Sequence, residues 1–273
     1  MDMDGPRIVG LPMYDPPELH ATVDAWWRGV AHALRLEGVE GVPDVLERGL
    51  SLDALWTSPR LLLTQTCGFP LLGAYAGHLQ YLATPQYAAA GCVGSNYCSW
   101  IVVGADSTAR DLEDLRGARC SINSRISHSG YNVLRALVAP LARDGAFFRS
   151  VSVSGGHAES LAQLGRGDVD VATIDCITYA LLRRCRPRVV AATRILGRAA
   201  SAPGLPFATR IGASPALVGR LQAGLARAMQ DPALATVRSA LLLTGLEVLP
   251  AGSYTAMAQL DVAAKHHGYH ELD

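Results

Sequence analysis

The segment Ser127-His128-Ser129-Gly130-Tyr131 brings two hydroxyls, an imidazole and a glycine into five consecutive residues. It stands directly before Val133, Leu134, Leu137, Val138 and Leu141, whose spacing predicts a helix over 127–142 with those residues facing inward. Ser127 then takes the N-cap position. A helix start leaves several backbone N–H groups without intrahelical partners and carries a partial positive charge. Small hydroxyl residues and a glycine let an anion approach those donors closely, so a tetrahedral oxyanion can be held there by neutral groups, with no lysine. The same residues equally suit a Ser cap that stabilises a helix and binds nothing.

Four further loops follow apolar runs in the same way: Met13-Tyr14-Asp15, Thr64-Gln65-Thr66, Ser154-Gly155-Gly156-His157, and Asp175 after Val-Asp-Val-Ala-Thr-Ile. His157 can donate to an oxyanion or simply cap and pack. Asp175 can accept a proton from a hydroxyl or a protonated oxyanion, which would disfavour sulfate-like ligands, or it can cap the next helix. Tyr14 and Tyr97 offer an apolar wall with a polar tip. Ser127, His157 and Asp175 contain the letters of a catalytic triad, but their order and context match no hydrolase pattern. The chain has no G-x-S-x-G elbow, G-x-G-x-x-G, P-loop or H-E-x-x-H. No metal site and no cofactor are expected. The tail Lys265-His266-His267-Gly-Tyr-His270 reads as a solvated C-terminus rather than a metal trap.

These loops need a frame. Short apolar runs at Ile8–Leu11, Leu61–Leu63, His78–Ala83, Trp100–Gly104, Ala118–Asn123, Phe147–Val153, Val169–Ile174 and Val189–Thr193 predict strands. Helical periods separate them. From about Pro16, Leu19, Val23, Trp26, Val30 and Leu34 share one face. Further helices are expected at 71–75, 159–164, 176–184, 215–229 and 232–243. This alternation predicts an α/β fold, with mostly parallel sheets and helices on both faces. Its length suggests two lobes, 1–105 plus 196–273 and 106–195, with a ligand cleft between them. In open α/β sheets ligands sit beyond the carboxyl ends of strands, where these five loops lie.

The composition fits a folded chain: 49% hydrophobic and 18% charged over 273 residues. Formal net charge is zero, and of 24 basic residues one, Lys265, is lysine. No basic face for nucleic acid is expected. No run approaches the ~20 apolar residues that span a bilayer, so no membrane insertion is expected. The start, MDMDGPRIVG, is acidic where a leader peptide is basic, which favours the cytoplasm for the chain as written and the periplasm only if the true start or leader is missing. Six cysteines (67, 92, 98, 120, 176 and 185) form no C-x-x-C pair and read as dispersed free thiols.

Together, Leu11-Pro-Met-Tyr14-Asp15, Leu63-Thr-Gln-Thr-Cys-Gly-Phe-Pro70, Asp114-Leu-Arg-Gly117, Asn123 to Tyr131, Asp168-Val-Asp-Val-Ala-Thr-Ile-Asp175-Cys176 and Pro203-Gly-Leu-Pro-Phe207 resemble the phosphonate/phosphite/phosphate ABC-transporter substrate-binding family. The resemblance implies a type 2 periplasmic-binding-protein, or Venus-flytrap, architecture that captures a small oxyanion for ABC-type transport or sensing. It implies a permease or a signalling protein as partner. In that family a hydroxyl-Gly turn holds the phosphorus oxyanion, which corresponds here to Ser127, His128 and Ser129. The family's histidine corresponds to His157, its acidic residue to Asp175, its first-domain loops to Tyr14 and Thr66, and an aromatic to Tyr97. A second reading keeps the fold and changes the use: a cytosolic biosynthetic enzyme of the menaquinone-pathway kind acting on a small carboxylate.

Overall fold

The structure, a computed structural model, describes residues 5–272, so residues 1–4 of the acidic start lie outside the described residues. The chain divides into two compact units. One comprises the chain up to Ala88 together with Pro203–Ala251; the other is Ala89–Ala202 with Gly252–Asp273. Residues 89–105, 196–202 and 252–273 therefore belong to the second unit, whereas the sequence reading put all three with the first lobe.

The first unit has a five-stranded sheet in the order Ile8–Gly10, Leu61–Gln65, Phe207–Arg210, Leu79–Tyr87, Leu243–Glu247. Its first two strands pair in parallel, while Phe207–Arg210 and Leu243–Glu247 run against their neighbours. All five positions of Leu61–Gln65 are buried. The strand runs through Thr64 and Gln65, two residues past the expected stop, because both polar side chains find partners. Trp56 Nε1 donates to Thr64 Oγ1 at 3.2 Å, and Gln65 Nε2 donates to Tyr87 Oη and to Leu205 O at 3.0 Å each. Buried polar groups with partners cost little, so the strand need not end where polarity begins. The helix His20–Leu36 buries Val23, Trp26, Val30 and Leu34 as its period requires. It follows a single 3-10 turn at Pro17–Leu19.

The second unit has a five-stranded sheet in the order Ser150–Val153, Arg119–Ile122, Val171–Asp175, Ser99–Gly104, Thr193–Arg198. Only Ser99–Gly104 is reversed. Alternate residues face opposite sides of a strand. Ile101 and Val103 accordingly pack with Leu134, Val138 and Tyr269, whereas Val102 packs with Leu161, Leu164, Tyr179 and Leu182. Helices cover both faces, and in each unit's sheet the majority of strands share one direction.

Two expectations about elements fail for definable reasons, and one about the tail holds only in part. Residues 187–191 form a short helix, not a strand, and the strand follows at Thr193–Arg198. Pro187 opens the helix with its preset φ, and Thr193 Oγ1 donates to Val190 O at 2.8 Å near its end. The expected helix over 232–243 is a 3-10 turn and the helix Ala235–Ala240, followed by the strand Leu243–Glu247. The tail is solvated at Lys265, His266, His267, Gly268 and His270, as expected, but after the helix Thr255–His266 the side chains of Tyr269 and Leu272 turn into the core of the second unit.

Arg135 is the most unexpected core member. It lies among the apolar residues of the helix Val133–Val138, with its side chain 2% exposed. Its guanidinium pairs with the Asp261 carboxylate and donates to His270 O, so the C-terminal helix is fastened to the helix that follows Ser127. Asp261 also accepts from Lys265 at 2.7 Å. Breaking a buried pair from one side strands the other charge, at a cost of about 3–5 kcal/mol. Asp261→Ala should lower unfolding free energy by about that amount in urea titrations, and a loss below about 1 kcal/mol would remove the pair from the core's support.

Candidate functional site

The loop after Arg119–Ile122 carries the hydroxyl turn. Ser127 has extended backbone (φ −81°, ψ 136°), and its Oγ accepts from Gly130 N–H at 3.1 Å, so it is a helix cap. The turn it caps is wide. Asn132 N–H bonds Ser127 O at 3.0 Å, five residues back, and the stretch His128–Asn132 is a π-turn before the regular helix Val133–Val138. Such turns spread the first N–H groups apart and recur at functional sites. His128, Ser129, Gly130, Tyr131 and Asn132 are all buried.

Ser129 Oγ lies 2.8 Å from His157 Nε2 and 3.4 Å from Ser127 Oγ. His157 is the first residue of the helix His157–Arg166, which begins after the extended Gly156. Burial pushes the His157 imidazole down to about 4, so it is neutral at pH 7. Its Nδ1 is buried and unpaired. A buried N–H without an acceptor is rarer than a bare lone pair. The favoured tautomer therefore puts the proton on Nε2, which donates to Ser129 Oγ and frees the Ser129 hydroxyl hydrogen for another acceptor.

Gly130 is required for space. A Cβ there would lie 1.9 Å from Asn123 Oδ1 and 3.2 Å from His157 Cε1, so both side chains rest against its α-carbon. Asn123 Oδ1, like His157 Nδ1, is buried without a hydrogen-bond partner. Uncommitted polar atoms of this kind mark a place where a ligand or water completes the network.

His128 is held from behind. Asn132 Nδ2 lies 3.1 Å from His128 Nδ1 and donates to Met257 O at 2.8 Å. The Met257 carbonyl can only accept, so it fixes which end of the Asn132 amide faces the imidazole. His128 Nδ1 must then accept, and its proton resides on Nε2. Burial pushes His128 down to about 4 as well. Tyr97, 1% exposed, places its ring 6.4 Å from that of His128.

Asp175 ends the central strand Val171–Asp175 and is 1% exposed. Its Oδ1 accepts from Ile177 N at 2.7 Å and Thr178 N at 2.8 Å, which makes it the cap of the helix Cys176–Cys185. The two remaining residues belong to the first unit. Tyr14 packs edge-on to Tyr87 at 5.2 Å, and the neighbouring Asp15 is clamped by Arg48 at 2.6 Å. Thr66 is fully buried; its Oγ1 donates to Cys67 O at 3.3 Å and its N–H to Pro206 O at 3.0 Å. The structure thus joins Ser127, Ser129 and His157 by short polar contacts and sets Tyr97 beside His128. Asp175 is a helix cap, and Tyr14 and Thr66 lie in the other unit. The sequence reading missed Asn132 and Asn123. Asn132 follows His128 by four residues on a helical face, a spacing that signals contact; nothing local signals Met257. Among the described residues no cluster of His, Cys, Asp and Glu could hold a metal ion.

Both imidazoles are neutral in the fold because their pKa is lowered from 6.5 to about 4. Between those values the unfolded chain binds protons that the native state excludes, so stability rises with pH across that window and is lost as pH falls through it. Ring-proton NMR titration should find neither histidine charging until the pH nears 4. A midpoint near 6.5 for either would show an imidazole open to water.

Comparison with known proteins identifies the fold and the family. Solved structures share the fold at low identity. A binding-protein component of an ABC phosphonate transporter from Pseudomonas aeruginosa superposes with TM-score 0.76 at 15% identity, covering 97% of this chain and 88% of that one. PhnD1 from Prochlorococcus marinus, in complex with methylphosphonate, gives 0.73 at 11%, covering 95% and 97%. A Xanthomonas citri protein bound to chloride gives 0.72 at 17%, covering 97% and 99%. No curated protein matches the chain by sequence. The family model for the periplasmic substrate-binding protein of phosphonate ABC transporters matches residues 61–254, which include the hydroxyl turn, His157 and Asp175. With that match over most of its length, and with the type 2 periplasmic-binding-protein fold, the chain belongs to the phosphonate ABC-transporter substrate-binding protein family.

Proposed function

We propose that this chain captures a small phosphorus oxyanion of the phosphonate, phosphite or phosphate class at the turn Ser127–Gly130, and delivers it to an ABC permease. The observation that carries the proposal is the polar run Ser127–Ser129–His157 at a capped helix start, with neutral imidazoles beside it; the uncommitted acceptors His157 Nδ1 and Asn123 Oδ1 suit a ligand that keeps one P–OH proton. Neutral dipoles fixed in a buried place hold an anion without desolvating a countercharge, and helix starts supply further N–H donors. His128 adds an Nε2–H donor set by Asn132. Tyr97 serves as a wall. The Asp175 carboxylate, while capping its helix, disfavours fully ionised ligands that bring no proton. Tyr14 and Thr66 are assigned to the ligand by family resemblance. The methylphosphonate complex of the Prochlorococcus marinus protein supports the ligand class. The ATP complex of the Xanthomonas citri protein extends the candidates to phosphate esters.

Binding rather than catalysis suits the Ser129–His157 pair. A serine nucleophile needs a base poised near neutrality and oriented by a third group. His157 is lowered to about 4, and its Nδ1 faces no carboxylate. Delivery to a permease would place the chain in the periplasm, in line with the family's description.

Isothermal titration with methylphosphonate, phosphite, phosphate, sulfate and ATP tests the reading. One phosphorus oxyanion should bind in preference to sulfate. Hydrogen bonds to a charged group contribute about 1.5–3 kcal/mol, so Ser129→Ala and His157→Gln should each weaken it by roughly ten- to a hundredfold. Binding of none of these anions, or affinities unmoved by both variants, would sink the proposal. Tyr14→Ala and Thr66→Val should weaken the same ligand if the first unit contributes as assigned.

A further inference from the structure

The six cysteines are free, but they are not dispersed. Three of them meet in the second unit. Cys92 Sγ lies 3.6 Å from Cys176 Sγ, and Cys176 N–H donates to Cys98 O at 3.0 Å. The loop carrying Cys92 reaches the other two only because residue 91 is glycine. Gly91 has φ +97°, and a Cβ there would lie 2.6 Å from Cys98 Sγ and 3.2 Å from Cys176 Cβ. Cys92 is partly exposed, while Cys98 and Cys176 are buried. Cys176 opens the helix Cys176–Cys185 directly after the Asp175 carboxylate, and the hydrogen bond with Cys92, together with burial, pushes its thiol up, so it is the partner that keeps its proton. The other thiols lack this setting: Cys67 belongs to the first unit, Cys120 sits in the apolar core, and Cys185 ends its helix.

We propose that Cys92 and Cys176 form an oxidisable dithiol, closed to a disulfide by a peroxide or by a small-molecule disulfide and reopened by a dithiol reductant. A disulfide needs an S–S distance of about 2.05 Å, so the sulfurs must close by about 1.5 Å. Side-chain rotation of Cys92 supplies this movement, in a loop punctuated by Gly91 and Gly94, both at positive φ. The Cys92 thiol is also held below its ordinary range, chiefly by the hydrogen bond with Cys176, which favours it as the attacking thiolate.

With hydrogen peroxide, the Cys92 thiolate attacks one oxygen, the O–O bond breaks, and a sulfenic acid and one water result after protonation. Cys176 sulfur then attacks the Cys92 sulfur, the S–O bond breaks, and the second water leaves. Two thiols and one peroxide thus give one disulfide and two waters. The disulfide would pin the loop to the first residue of the helix that Asp175 caps.

The reduced full-length chain, exposed to equimolar hydrogen peroxide or to oxidised glutathione, is alkylated and digested for mass spectrometry. The expected result is a Cys92–Cys176 linked peptide and a fall from six free thiols to about four, restored by dithiothreitol. Cys92→Ser and Cys176→Ser should each abolish the linked peptide, and Cys98→Ser should leave it in place. Six free thiols after treatment, a predominant link through Cys98, or irreversible oxidation of Cys92 alone would overturn the proposal. The readout is a mass, independent of any ligand, so it stands or falls apart from the oxyanion reading.

Discussion

The bond between Ser129 and His157 is the contact around which the second unit is arranged. It joins the start of one helix to the start of another across the ends of adjacent parallel strands. The Nε2–H of His157 donates to the Ser129 hydroxyl, and burial keeps the imidazole neutral. The hydroxyl can reach the ring only because Gly130 has no side chain to hold Asn123 and His157 away. The wide π-turn then sets the backbone donors around the same spot. Each of these features would be a defect elsewhere: a buried unpaired nitrogen, an irregular helix start, a glycine where a larger residue would fill space. They agree with one another under the proposed reading, in which a protonated oxygen of the ligand or a water supplies the hydrogen that the two bare acceptors, His157 Nδ1 and Asn123 Oδ1, lack.

Support for the turn comes from the far end of the chain. Asn132 is clamped by the Met257 carbonyl, and three residues further on Arg135 is clamped by Asp261 and by the His270 carbonyl. Polarity set deep in the core thus decides which nitrogen of His128 carries its proton. A hydrophobic residue in place of Asn132 would pack there, but it would leave the tautomer open. The Arg135–Asp261 pair is costly to break from one side, although buried pairs seldom add much net stability.

Much of this was legible in the sequence, and the failures are instructive. Apolar runs located most strands, and the 3.6 period located the long helices, because burial on one face is written in residue order. The hydroxyl turn was legible because caps and glycines have local causes. Residues 187–191 misled because two valines suggest a strand while one proline sets a helix. Arg135 drew no reading at all, because a charge in an apolar stripe gains its partner 126 residues away. The thiols looked dispersed because Cys92 and Cys176 are 84 positions apart and no short motif joins them. The lobe boundaries were misplaced for a related reason: the return of residues 252–273 to the second unit is a matter of packing, and composition does not change there.

That return has a consequence for synthesis on the ribosome, where domains generally form as they emerge. Residues 89–202 contain every strand of the second sheet and the whole hydroxyl turn, yet they emerge before the segment that closes their core. The first unit is interrupted in turn and is completed only by residues 203–251. Neither unit is therefore finished when its first part leaves the tunnel. Residues 252–273, made after both, carry the Met257 carbonyl, Asp261 and Tyr269, so the proton position on His128 is decided only once they have emerged, well after the hydroxyl turn itself has been made.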